Sequence, residues 1–293
     1  MPGTIPVVLF AYARPVHLAR VLACLRENRV EMLYVYSDGA KHDVVAKRVE
    51  EVRALVRAID WCEVRLTQRG ANLGLGRSVL GGVTEVAAKH DAFIVWEDDL
   101  ICVPGTYVWM CAALEHYAAD ERVMSVTPWT HPLVTPTTAT DSPYFDGRAE
   151  CWVWGTWARS WRGMEQSALE KLAACKTRGI VPDVYGADLP LMAAEEQVRN
   201  IWAVRWLYHH LQHDGLCLRP QWSMVEHIGD DAQATNCPDS GWMRQPEMRA
   251  APRVPATWPE VRVQAECSAL WQEITRLGWR QRAKAWLHSF LGH

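Results

Sequence analysis

Short apolar runs alternate with helical patterns through the first 130 residues. The runs are Pro6-Val-Val-Leu-Phe-Ala-Tyr12, Met32-Leu-Tyr-Val-Tyr36, Cys62-Glu-Val-Arg-Leu66 and Ala92-Phe-Ile-Val-Trp96; between them, residues 16–28, 44–59 and 76–89 carry apolar positions at helical spacing. Short strands separated by longer helices read as βαβ units, and therefore as a parallel sheet with right-handed crossovers. The expected class is α/β, a mostly parallel central sheet flanked by helices, wound as an open sheet or half-barrel.

The texture then changes. Residues 131–150 include Thr135-Pro-Thr-Thr-Ala-Thr-Asp-Ser-Pro143 and read as a loop or flap that orders with ligand. A Trp-dense segment follows, Cys151-Trp-Val-Trp-Gly-Thr-Trp-Ala-Arg-Ser-Trp161, then helical patterns near 165–176 and 193–213 and a strand, Leu216-Cys-Leu-Arg219. Residues 246–259 are Pro-rich, and from 261 a helical pattern runs nearly to the end. One domain over 1–245, with halves 1–130 and 131–245, is expected to precede a linker and amphipathic helix over 246–293, a C-terminal helical extension.

With 49% apolar and 22% charged residues, the 293-residue chain can bury a sizeable core and has no call to be disordered. A net charge of −3 argues against nucleic acid as a partner, since no basic excess drives counterion release. Nine cysteines, an odd number without a CxxC pair, read as reduced core residues. The apolar run at residues 7–13 is broken by Arg14 and Pro15 and has no basic leader, so neither a signal peptide nor a membrane span is expected, and the address read from this is cytoplasmic. The last helix carries tryptophans together with Arg276, Arg280, Arg282 and Lys284, a composition suited to peripheral contact at the inner face of a membrane. Docking of that helix on its own domain is the competing reading.

Ligands of open α/β sheets bind beyond the carboxyl ends of the strands. Here those ends read Tyr12-Ala-Arg14, Ser37-Asp38-Gly39 and Glu97-Asp98-Asp99. Adjacent carboxylates at a strand end point in different directions, so one can take Mg2+ or Mn2+ while another meets a ribose or water. An isolated acidic triplet is more often a solvated turn. Asp38, suited to accept from a uracil N3–H or a ribose hydroxyl, and Arg14, suited to base or phosphate, shift the balance toward a nucleotide pocket. Asn72-Leu-Gly-Leu-Gly-Arg77 opens a helix after a strand, so its amides and Arg77 can meet phosphate, although structural glycines explain it equally well. Of Trp152, Trp154, Trp157 and Trp161, one is expected to stack on a sugar and the others to fill the core.

The run from Pro6 to Pro15, then Tyr36-Ser-Asp-Gly39, Asn72-Leu-Gly-Leu-Gly76 and Trp96-Glu-Asp-Asp-Leu-Ile-Cys-Val-Pro104, resembles the nucleotide-sugar half of the N-acetylglucosaminyltransferase I type and its bacterial relatives. Trp154-Gly-Thr-Trp157, Trp202-Ala-Val-Arg-Trp206 and Ser223-Met-Val-Glu-His-Ile-Gly229 extend the resemblance to about residue 240. It implies a GT-A fold with donor half 1–130 and acceptor half 131–245. It also implies an NDP-sugar donor with UDP favoured, Mn2+ or Mg2+ held chiefly by Asp99, Glu97 and Asp98 toward the nucleotide, and inverting transfer to a glycan or lipid-linked glycan.

Two departures stand out against that family. Its catalytic base, an Asp just after a Trp, has Ala203 and Val204 in its place, leaving Glu196 and Glu195 as first candidates by position, then Glu150, Asp188 and Glu226. A histidine facing the metal or diphosphate is replaced by Asn236, for which His227 is the available substitute. Rival readings are therefore a non-catalytic nucleotide- or glycan-binding protein on the same fold and, less well supported, a nucleotidyltransferase, since Ala11-Tyr-Ala-Arg-Pro15 is no glycine-rich triphosphate loop.

Overall fold

A computed structural model describes residues 4–139, 142–199, 201–229, 248–251 and 253–276. The first half is the expected βαβ series: β1 (Val7–Ala11), α1 (Pro15–Glu27), β2 (Met32–Ser37), α2 (Asp43–Arg57), β3 (Glu63–Gln68), α3 (Leu75–Ala87) and β4 (Ala92–Glu97). A short strand β5 (Leu100–Cys102) and helix α4 (Thr106–His116) follow, then β6 (Val123–Val126), β7 (Tyr144–Asp146), β8 (Trp154–Trp157) and α5 (Ala158–Trp161). Helices α6 (Ala168–Thr177), α7 (Leu189–Arg199) and α8 (Ala203–Gln212), strands β9 (Leu216–Arg219) and β10 (Val225–His227), and α9 (Glu266–Ile274) complete the described chain.

Eight strands form one sheet in the order β3-β2-β1-β4-β8-β6-β9-β7, and β5 pairs with β10 in a separate two-stranded sheet. The pairings β1–β2, β1–β4, β2–β3 and β6–β9 are parallel; β4–β8, β6–β8 and β7–β9 are antiparallel. The expected α/β class holds, a large central sheet flanked by helices, with its parallel character concentrated in the first half. In β1, Val7, Leu9 and Ala11 enter one core layer with α1, α2 and α4, while Val8 and Phe10 enter the other with α3, α6, α7 and α8. Successive strand side chains point to opposite faces, so a strand covered on both sides reads as an unbroken apolar run.

Two expectations change, and the favoured reading of the last helix holds for its described part. The segment read as a flap contains β7, whose Tyr144 and Asp146 pair across β9 with Arg219 and Cys217; the Thr/Pro bias around it hid a short edge strand. The helix expected over 193–213 is two, α7 and α8. Of the long C-terminal pattern, α9 docks on its own domain through Cys267 and Trp271, both buried; Arg280, Arg282 and Lys284 lie outside the described residues. Among the described residues no helix is long and apolar enough to cross a membrane.

Trp154, Trp157 and Trp161 are core residues. Trp154 lies 5.1–5.6 Å in ring centroid from Trp161, Trp202 and Trp206, an aromatic cluster that seats α5 and α8 on β8. Opposite it, Arg219 Nε sits 3.0 Å from Asp146 Oδ2 with both side chains fully buried. Asp146 also accepts from Trp271 Nε1 at 2.8 Å and from the Arg148 amide at 2.9 Å, so β7, β9 and α9 meet at one carboxylate. Removing one partner of a buried ion pair leaves a charge without compensation, at about 3–5 kcal/mol. Asp146→Ala is therefore expected to lower the unfolding free energy, read from urea titration, by an amount in that range, whereas a loss under about 1 kcal/mol would mean this junction is not what ties α9 to the sheet.

Candidate functional site at the carboxyl edge of the sheet

Strands β1 and β4 run parallel with Phe10 opposite Glu97. The chain leaving β1 therefore passes beside the chain leaving β4. The Tyr12 amide donates to Asp98 Oδ2 at 2.9 Å, and Arg14, at the N-terminal cap of α1, reaches Asp99 Oδ2 with its NH1 at 2.8 Å. From the other side comes β10, antiparallel to β5 with His227 opposite Leu100. The Ile228 amide continues the ladder to the Asp99 carbonyl at 2.8 Å, and His227 Nε2 lies 3.3 Å from Asp99 Oδ2. His17 on the first turn of α1 meets the Ile228 carbonyl at 3.0 Å and ties the end of β10 to α1. Gly229 packs so closely here that an added Cβ would fall 2.5 Å from Asp99 Oδ2 and 2.6 Å from Arg14 NH1.

Three carboxylates in a row, partly withdrawn from water, repel one another. Burial, then the charge of Asp99, pushes the Asp98 carboxyl up to about 7, with the Tyr12 amide and Arg14 pulling the other way. Burial, Asp99 and Asp98 hold Glu97 well above the ordinary carboxylate range. Burial acts on Asp99 in the same sense, but the hydrogen bond and charge of His227, with Arg14 and His17, outweigh it and bring its pKa below the ordinary value. A divalent cation relieves such crowding, and oxygen donors beside one imidazole suit Mn2+ or Mg2+. Among the described residues no three His, Cys, Asp or Glu side chains form a metal cluster by themselves. Asp99 and His227 bring a carboxylate oxygen and an imidazole nitrogen within 3.3 Å of each other and could serve as two ligands to such a cation.

The second arm of the edge is organised by Asp38, directly after β2. Its carboxylate accepts from the amides of Gly39, Leu73 and Gly74, each at 2.9 Å, and from Asn72 Nδ2 at 3.1 Å. Asn72 Nδ2 also reaches the Gly39 carbonyl at 2.9 Å. Asp38 and Asn72 thus hold the loop that opens α3, and a Cβ on Gly39 would run into the Ala71 backbone at 2.5 Å. Arg77 stands exposed near the start of α3.

Four of the five carboxylates read as base candidates are each approached by an arginine. Glu196 is buried between α6 and α8, with Oε1 on Arg205 Nε at 2.6 Å and Oε2 on the Ala168 amide at 2.8 Å. Both its oxygens are engaged within the chain. Glu195 pairs with Arg199 at 3.1 Å on α7, and Asp188 pairs with Arg148. Glu150 Oε2 lies 3.4 Å from Arg219, and Glu150 belongs to the segment that reaches the acidic cluster: next but one in sequence, Trp152 stacks on His227 with centroids 5.2 Å apart and planes 14° apart. Glu226 stands in β10 opposite Ile101. Ala203 opens α8, and Asn236 lies outside the described residues.

Sequence reasoning missed Tyr12, His17, Gly229 and the place of Trp152. Each depends on strand register or a backbone twist, for which a single sequence carries no local signal.

Fold and site together define an α/β protein whose sheet edge joins a crowded acidic cluster to a glycine-containing helix start. No family model matches the chain, and no curated protein does. Among solved structures the chain is similar to a mannosyltransferase from Pyrobaculum calidifontis in complex with GDP-Man and Mn2+, at 12% identity over 55% of this chain and 46% of that one, with a TM-score of 0.39. It is similar to HddC from Yersinia pseudotuberculosis at 12% identity over 53% of this chain and 78% of that one, TM-score 0.32. An apo UDP-glucose pyrophosphorylase gives 10% identity over 75% and 91%, TM-score 0.39. The chain spans less than half the length of the mannosyltransferase, and likeness this distant assigns no activity.

Because Asp98 has its folded pKa raised above the ordinary value, its contribution to stability is present below about pH 4 and is lost as pH rises toward about 7. The melting temperature of the metal-free protein should fall across that window more steeply than that of Asp98→Asn. Mn2+ should raise the wild-type melting temperature more at pH 7.5 than at pH 5. Equal slopes for the two proteins, with equal Mn2+ increments at both pH values, would show that the carboxylates do not crowd one another.

Proposed function

We propose that this protein is a glycosyltransferase of the GT-A type, moving a sugar from a nucleotide-diphosphate donor, a UDP-sugar foremost, to a hydroxyl of a glycan or lipid-linked glycan. The observation that carries the reading is the Glu97-Asp98-Asp99 cluster at the end of β4, gripped by Arg14 from one side and faced by His227 from the other. Asp99 and His227 would hold Mn2+ or Mg2+, which when bound neutralises charge on the leaving diphosphate. Asp98 and Glu97 would face the ribose. Arg14, held to Asp99 by a charge-assisted bond, would bring its positive charge to the phosphates. The loop at Asn72 and Gly74, fixed by Asp38, would offer main-chain amides, with Arg77 nearby, to the nucleotide.

In an inverting transfer the acceptor oxygen attacks the anomeric carbon, the bond to the diphosphate breaks with its electron pair leaving on phosphate, and a base takes the hydroxyl proton. Glu150 is our candidate for that base, ahead of Glu195 and Glu196, because it lies on the segment that carries Trp152 to His227. The arginine partners of all three carboxylates favour a second reading, a non-catalytic protein that binds a nucleotide or glycan on the same fold.

Calorimetric titration of UDP and GDP into the protein, with and without Mn2+, tests the donor site. Metal-dependent binding of one nucleotide is expected, weakened at least about tenfold, ~1.4 kcal/mol, by Asp99→Ala. If neither nucleotide binds under either condition, the transferase reading fails. Turnover of an NDP-sugar that Glu150→Gln abolishes while nucleotide affinity stays intact separates enzyme from binding protein.

A further inference from the structure

Trp152, alone among the four tryptophans between residues 151 and 162, is only partly buried and stands outside the core cluster around Trp154. In an unbroken strand, residues two apart face the same side of the sheet. Trp152 and Trp154 do not: Trp154 packs with Val8, Phe10 and α3, whereas Trp152 packs on the opposite layer. The switch occurs at Val153, which has φ of +50° although it is β-branched and fully buried. A β-branched residue in the left-handed region is a genuine outlier, held only where its surroundings over-determine it. Here Thr127 Oγ1 donates to the Val153 carbonyl at 3.0 Å and accepts from the Trp129 amide at 3.2 Å.

What the turn achieves is the placement of one ring. Trp152 lies nearly parallel to His227, with centroids 5.2 Å apart and planes 14° apart, and Trp129 presses its other surroundings edge-on at 5.6 Å and 72°. The ring torsion of a histidine is broad and roughly two-fold, so a histidine at a strand end keeps no single plane unless something fixes it. An imidazole nitrogen binds a cation only along its in-plane lone pair, so the plane decides whether Nε2 serves the site or turns away.

We propose that Trp152 is a positioning residue for the acidic site: the left-handed turn at Val153 carries its indole across the sheet onto His227, and the stack fixes the imidazole plane with Nε2 toward Asp99. The geometric claim stands by itself; its consequence for cation binding rests on the reading of Asp99 and His227 given under the proposed function.

The test compares wild type with Trp152→Phe, which keeps an aromatic plane, and Trp152→Leu, which keeps apolar bulk without one. The His227 ring protons, assigned by their loss in His227→Gln, are read by NMR. They should lie upfield in the wild type through the indole ring current, stay upfield in Trp152→Phe, and return to the ordinary position in Trp152→Leu. Titration with Mn2+ alone should weaken about tenfold in Trp152→Leu and stay within about threefold in Trp152→Phe, the scale on which groups that orient a ligand act. A His227 resonance at the ordinary position in the wild type overturns the stacking without recourse to any Trp152 variant. A folded Trp152→Leu that binds Mn2+ like the wild type overturns the positioning role. If the wild type shows the upfield ring but binds neither Mn2+ nor nucleotide, the transferase reading falls and the placement of His227 by Trp152 stands.

Discussion

Parallel pairing of β1 with β4 is the constraint from which the sheet edge follows. With Phe10 opposite Glu97, the residues leaving each strand are carried past one another, and the Tyr12 amide and Arg14 guanidinium arrive at Asp98 and Asp99 with no further device. Both strands are buried on both faces, so a slip by one residue would exchange every side chain between the two core layers, and the register is strongly specified. The chemistry at the edge is thus placed by packing at the centre. The small β5–β10 sheet does the same from the other side, bringing His227 to Asp99 through a ladder of three residue pairs.

The acids of this protein sort by what surrounds them. Asp38 and Glu196 are buried, and donors from their own chain fill both oxygens, amides and a side-chain amide for one, an amide and a guanidinium for the other. Such groups fix loops and helix starts. Asp98 is raised by burial and by the charge of Asp99, against the Tyr12 amide, its own amide and Arg14; Glu97 is raised by burial and by two neighbours. A carboxylate that is crowded but short of donors is stabilised by an incoming cation, whereas one with a full set gains little from it. This difference separates the acidic triplet from the other buried acids more sharply than sequence position does.

Much of the edge was legible in the chain. The alternation of apolar runs with helical patterns gave the first seven elements, and the polar residues at the ends of β1, β2 and β4 were recognised as converging because strand ends of a parallel sheet must share an edge. The second half was harder. Tyr144-Phe145-Asp146 is too short to announce a strand amid Thr and Pro, and β7 exists because β9 offers it an edge, which is tertiary information. Position ranked Glu196 first as base, yet the arginine nine residues further on in α8 claims it, a pairing set by how α7 and α8 pack. The four tryptophans looked alike in sequence; a positive φ at Val153, which no propensity foretells for a β-branched residue, separates Trp152 from the rest.

Among its described residues the second half offers few loosely held carboxylates. Its arginines are drawn inward: Arg219 to Asp146, Arg148 to Asp188, Arg205 to Glu196. A buried guanidinium must be paired, so each one withdraws an acid from the set able to take a proton. Glu150 is drawn in least. Arg219 approaches it at 3.4 Å but Asp146 at 3.0 Å, so the guanidinium charge is claimed first by Asp146, and the other Glu150 oxygen accepts from the neighbouring Cys151 amide at 2.8 Å. Glu150, one residue from Cys151 and two from the ring that stacks on His227, thus has a looser tether than Glu196, whose two oxygens are both engaged.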